Sequence, residues 1–284
     1  AASKKNESVA SRDRTTRNLW LWLIAGSTAK VMETTSSYAA AAKAFGSTTT
    51  QEALPGRQHT QRPLVTGTSV VGLRYKDGVM IAADTLASYG SLAMFKDVVR
   101  ISKVGSYTLV GGSGEMSDYA YVMDLVEGIT RDNLNFDDGF EHAPHEIYHY
   151  LRAVMYQRRS KMDPLWNELV VAGYKDGESF LGVVDLRGTA YTDDIVATGF
   201  GSHLAMPILR NKWRPDLSEG EAVAVLEDCL RVLFYRDCRA VDTIVLSKAS
   251  ADGTLVSEPR KLESDWSAQS FVTPKADDDG DGGW

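Results

Sequence analysis

Apolar positions along this chain fall into two rhythms. Thr68–Tyr75 is rich in β-branched and small apolar residues, and Lys76-Asp77-Gly78 follows as a hairpin turn signal. Val79–Ala83 is an unbroken apolar run, the pattern of a strand buried on both faces. Val98–Val104 and Tyr107–Val110 flank a further turn at Gly105-Ser106. The period then changes. Val122, Leu125, Val126 and Ile129 recur at helical spacing, with Ser113 as a candidate cap. Pro144 suits the first turn of a second helix that aligns Ile147, Leu151, Val154 and Met155 on a core-facing stripe. Strand patterns return at Glu168–Tyr174, Ser179–Asp185, Gly188–Tyr191 and Ile195–Thr198. A short helix is expected near His203–Arg210. Ser218 with Glu221 forms a capping-box signature for a helix carrying Ala222, Leu226, Leu230 and Leu233 on one face. Asp242–Ala249 closes the series as a strong strand. Two strand blocks, each followed by a helix pair, predict an α+β fold in which two sheets pack between helix layers. Pattern alone leaves an ordinary α+β arrangement open.

The ends read differently. Residues 1–59 are rich in Ala, Ser and Thr and lack sustained periodicity, so they are expected to be a leader or propeptide, disordered or removed. Their Leu19–Ala25 patch is far too short to span a bilayer, although Arg12, Arg14 and Arg17 before it mimic a targeting signal. The domain is expected over 60–256. Residues 257–284 read as a C-terminal extension whose end, from Asp277, is acidic and mobile. The net charge of −7 hides a split, because residues 1–59 carry eight Lys and Arg against four Asp and Glu. The body is therefore the more acidic part, which argues against a nucleic-acid partner. Cys229 and Cys238 fall on what reads as one helix, too far apart to pair, and a reducing compartment fits. His142, His145 and His149 stand at helical spacing but without the company of a zinc site, so no metal and no cofactor are expected.

Particular residue runs change the picture. Thr66-Gly67-Thr68-Ser69-Val70-Val71-Gly72, leading into Gly78-Val79-Met80-Ile81-Ala82-Ala83-Asp84, resembles the start of a proteasome β subunit. Ser88–Ala93, Tyr156–Asn167 and Gly173–Gly182 carry the resemblance on, and the Arg158-Arg159-Ser160-Lys161-Met162 run before Pro164-Leu165-Trp166-Asn167 resembles a non-catalytic member of the β ring. The resemblance extends from about Thr60 to about Trp266. It implies a four-layer αββα sandwich of the N-terminal nucleophile hydrolase type, with two mainly antiparallel sheets between the helix layers.

It also implies a site. Active relatives are cut between Gly and Thr, and the freed threonine supplies a hydroxyl nucleophile and an amine that accepts its proton. Two aspartates, a lysine and two serines support it. Here Thr68 falls on the nucleophile, Asp84 and Asp237 on the aspartates, and Arg100 on the lysine. Phe200 and Ala240 replace the serines. Arg keeps the charge but is a planar fork that stays protonated, and in a tight site it is expected to crowd Thr68. Three simultaneous losses predict a vestigial, non-catalytic site. Read without the family, Thr68 is an ordinary β-branched strand residue, Asp84 a strand-end carboxylate paired with a donor such as Arg100, and Asp237 a helix-end cap.

The resemblance further implies processing between His59 and Thr60, ahead of Gln61-Arg62-Pro63, by a neighbouring active subunit. It implies contacts with β subunits of the same and the opposite ring, with the α ring and with assembly chaperones, in cytoplasm and nucleus. No membrane partner is expected. Arg158, Arg159, Lys161, Trp166, Trp266 and Phe271 are the interface candidates, the last two within an extension that in this family reaches the opposite ring. Two competing readings are an active threonine peptidase with Thr68 as nucleophile, and an unrelated secreted or organellar hydrolase suggested only by the leader.

Overall fold

A computed structural model describes residues 62–267. His59, Thr60, Phe271, the leader and the acidic end therefore lie outside the described residues.

The first sheet has eight strands. Its main path joins β10 (Ala190–Thr192), β9 (Glu178–Val184), β8 (Asn167–Lys175), β7 (Thr108–Glu115), β1 (Val65–Gly67), β4 (Ala87–Tyr89) and β5 (Leu92–Phe95), with β6 (Ile101–Val104) paired to β7. The second sheet has six strands. It joins β11 (Ile195–Ala197), β2 (Val70–Tyr75), β3 (Gly78–Asp84), β12 (Thr243–Ser250) and β13 (Gly253–Val256), with β14 (Arg260–Lys261) paired to β12. All the pairings are antiparallel.

Three separate cores make the layers. Val79, Ile81 and Ala83 of β3 point between the sheets, where they meet Leu109, Val170, Ala172 and Val183. Their neighbours Met80 and Ala82 point the other way, towards Leu226, Leu230 and Leu233 of α5 (Glu219–Arg236). In β8, Val170 and Ala172 face the second sheet while Leu169 and Val171 face α1 (Met116–Phe136) and α2 (Pro144–Ser160). The period of two thus sends successive side chains of a strand into different cores, and each must be apolar. That is why β3 reads as an unbroken apolar run, and the result is the αββα sandwich.

Local differences from the sequence reading have physical causes. Ser113 does not cap a helix. It stays within β7, and its hydroxyl donates to the Glu168 carbonyl at 3.0 Å. The short helix is broken into α3 (Gly201–Leu204) and α4 (Met206–Lys212), with Pro207 in the first turn of the latter. Cys238 lies beyond the end of α5 and is exposed, whereas Cys229 is buried within it. Burial pushes the Cys229 thiol up to about 12. His142 precedes α2 and meets Glu146 at 3.4 Å, so it does not share a helix face with His145 and His149.

Candidate functional site

The chain passes from the first sheet to the second at Thr68-Ser69, between β1 and β2. β1 is not a loose end. It is hydrogen-bonded between β4 and β7, with Thr66 opposite Ser88 and Glu115 and Gly67 opposite Ala87 and Gly114. The Glu115 carboxylate accepts the amides of Leu64 and Val65 in addition. The segment before Thr68 is therefore part of the sheet, and Thr68 follows directly on its last paired residue.

The Thr68 hydroxyl donates to Asp237 Oδ2 at 2.5 Å. Asp237 stands at the C-terminal end of α5, 5% exposed, and its other oxygen accepts the Arg239 amide at 2.9 Å. Beside it, Ser69 Oγ accepts the Gly201 amide at 2.8 Å, which ties the start of α3 to the crossing.

Arg100 sits under the crossing, immediately before β6, and is 1% exposed. Its fork is fully used. Nε donates to the Asp84 carbonyl at 3.1 Å; Nη1 donates to the carbonyls of Thr68 and Gly112 at 3.0 and 3.2 Å. Nη2 donates to the Ser69 carbonyl at 3.1 Å and to the Asp84 carboxylate. Each of the five N–H groups of a guanidinium thus has a partner, which a lysine with three donors could not match. Arg100 does not crowd the Thr68 side chain as its size suggested. The room comes from Gly67, where a Cβ would lie 2.4 Å from Arg100 Cδ.

Asp84 ends β3 and is 4% exposed. Burial pushes its carboxyl up from the ordinary range, while the Arg100 guanidinium and the amides of Leu86 and Val241 pull it back. Those two amides reach its Oδ2 at 3.3 Å each. Ala240 offers no hydroxyl to this network; its amide donates to the Asp237 carbonyl at 3.1 Å.

Phe200 turns outward and is 58% exposed. It follows Gly199, whose φ of 56° glycine adopts without cost. With Thr68, Trp166, Glu168 and Arg239 it lines a groove of about 420 Å³. Glu168 accepts the Gly199 amide at 3.0 Å, and burial pushes its carboxyl up. Glu115, Ser69 and Glu168 are the members of this region that sequence reasoning missed. Each acts on backbone amides distant along the chain, so no local motif marks them.

The chemistry available here is limited. Nucleophilic attack by Thr68 needs a group that takes its proton. Arg100 stays protonated, and its donors are bound to carbonyls and Asp84 rather than to the hydroxyl. Asp237 accepts a hydrogen bond from the hydroxyl, but its other oxygen is bound to the Arg239 amide. Among the described residues no group of three or more His, Cys, Asp or Glu could hold a metal ion.

The interface candidates are scattered. Arg158 pairs with Asp163 at 2.9 Å and lies 5.5 Å from the centre of the Tyr121 ring, closing the end of α2. Arg159 and Lys161 are exposed. Trp166 lines the groove beside Thr68. Trp266 packs edge-on against Tyr235 and Phe234, with ring centres 4.9 and 5.7 Å away.

A four-layer αββα sandwich with a threonine at the crossing of its two sheets defines a class, and the family described as "Proteasome subunit" matches residues 64–248. The chain belongs to the proteasome subunit family. Within that family it is similar to proteins called proteasome subunit beta type-4. The Arabidopsis thaliana relative is 46% identical over 219 residues, covering 77% of this chain and 89% of the relative. The Xenopus laevis relative is 42% identical over 218 residues, covering 76% and 90%. A Saccharomyces cerevisiae relative called proteasome subunit beta type-7 is 42% identical over 210 residues, covering 69% and 79%.

Proposed function

We propose that this chain is a non-catalytic, structural subunit of the β ring of the 20S proteasome core. It would assemble beside other β subunits, against the opposite β ring and against the α ring, with the help of assembly chaperones, in cytoplasm and nucleus. The observation that carries the reading is Arg100. The cation that an active site needs near its hydroxyl is here bound to four carbonyl oxygens and Asp84, holding two sheets together. Thr68→Ala is therefore expected to leave every peptidase activity of the assembled particle unchanged. Loss of one cleavage specificity with assembly intact would overturn the reading.

Processing belongs to the same proposal. A chain without a working nucleophile cannot cut itself, so a neighbouring active subunit would cut between His59 and Thr60. Support comes from β1, since a cut at Thr68 would detach a strand that is paired on both sides from the rest of the domain. N-terminal sequencing of the chain from assembled particles should begin at Thr60. A start at Thr68 would contradict it.

A further inference from the structure

The face of α2 away from its core carries a cationic groove of about 630 Å³. His149, Arg152, Tyr156 and Arg159 succeed one another at three- and four-residue steps, so they share one side of the helix. The opposite wall is the turn between β9 and β10, which contributes Arg187. That turn is rigidly held: the Asp185 carboxylate accepts the amides of Arg187 and Thr189, both at 2.8 Å. It also approaches α2 as closely as a backbone can. Gly188 has φ of 79°, and a Cβ there would lie 2.6 Å from Tyr156 Cβ.

The charge is out of keeping with the molecule. The whole chain is at −7, yet the groove gathers three arginines, and no carboxylate is among the described residues lining it. Among the described residues Arg152 and Arg159 have no ion-pair partner, and Arg187 reaches only Asp185, at 3.9 Å. All three side chains are exposed. Guanidinium forks match carboxylates in pairs, and the exposed Tyr156 ring offers an apolar floor between them.

Resting on the β-ring reading above, we propose that this groove docks an acidic segment of an adjoining proteasome subunit. Two or more Asp or Glu side chains of that segment engage Arg152, Arg159 and Arg187, and an apolar side chain lies on Tyr156. A long polyanion such as nucleic acid fits less well, because the acidic body repels it beyond three arginines. The chain's own acidic end is the competing occupant.

The test uses assembled particles carrying the chain with Arg159→Lys, treated with a zero-length carbodiimide that joins amines to carboxylates. The expected product is a cross-link from position 159 to an Asp or Glu of a second subunit. A cross-link only to residues 277–281 of this chain, or none in intact particles, overturns the proposal while leaving the β-ring reading in place. Absence of the chain from particles overturns both. In parallel, Arg152→Gln with Arg159→Gln, which removes the charges without placing an anion at the C-terminal end of α2, should slow particle formation severalfold on native gels with little change in the melting of the isolated chain. An unchanged rate counts against the groove.

Discussion

Arg100 serves the fold through hydrogen bonds rather than through a charge lent to Thr68. Arg100→Ala leaves Asp84 buried without its cation and removes a donor from each of four carbonyls, so it should cost about 3–5 kcal/mol in urea unfolding. Gly67→Ala should cost about 1–3 kcal/mol, because its methyl group meets Arg100 Cδ. Combined with Arg100→Lys, which keeps the Cδ methylene but loses the guanidinium bonds that fix it in place, the glycine change should cost less than alone. Additivity within about 0.5 kcal/mol would show that the contact does not govern the position. The sequence places Arg100 where a lysine is needed for chemistry and so marks what the site lacks. It does not reveal what the arginine does instead. Its acceptors come from Thr68, Ser69, Asp84 and Gly112, which only the folded chain brings together.

At the scale of elements, legibility followed length and burial. β3, β8 and α5 are long, and their periods are set by the cores they face, so their apolar patterns declare them. β1, β4 and β5 have only three or four residues each. β5 is exposed throughout and offers no alternation to read. Its place is fixed by pairing with β4, a long-range fact about the sheet. The end of β7 misled for another reason. Ser113 looks like a cap, but Gly114 with φ of 94° and the Glu115 amide bound to the Trp166 carbonyl carry the strand two residues further. The Ser218 cap was legible because it is local. The Ser218 amide donates to Glu221 Oε2 at 2.9 Å, and α5 covers the second sheet. Ser218→Ala should therefore lower global stability by about 1 kcal/mol at neutral pH. The bonds from Ser218 hold the Glu221 carboxyl below its ordinary range, so its contribution is present above that range and fades as the pH falls through the lowered value. The difference between wild type and Ser218→Ala should shrink accordingly in melts taken at falling pH. A gap that is constant down to pH 3 would argue against the bond from the Ser218 hydroxyl to the Glu221 carboxylate.

At the scale of the whole molecule, a subunit without chemistry acts through its surfaces, and the C-terminal extension is where surface and core divide. Its first part belongs to the domain. β14 pairs with β12, Leu262 is 4% exposed in the core under α5, and Arg231 Nε donates to the Glu263 carbonyl at 3.0 Å. The Tyr235 hydroxyl accepts the Asp265 amide at 2.7 Å, beside the Trp266 ring. Removing everything after Glu258 would strip these contacts and weaken the fold itself, so a defect in that variant would say little about assembly. Truncation after Ser267 is the cleaner cut. It keeps every contact just described and removes Phe271, an aromatic of the kind that anchors interfaces. The isolated chain ending at Ser267 should melt as the full chain does, while the joining of half-particles, followed on native gels, should slow or weaken. Truncation after Lys275 removes only the segment bearing the terminal aspartates and should leave joining unchanged. If the two truncations join alike, residues 268–275 are not a clasp.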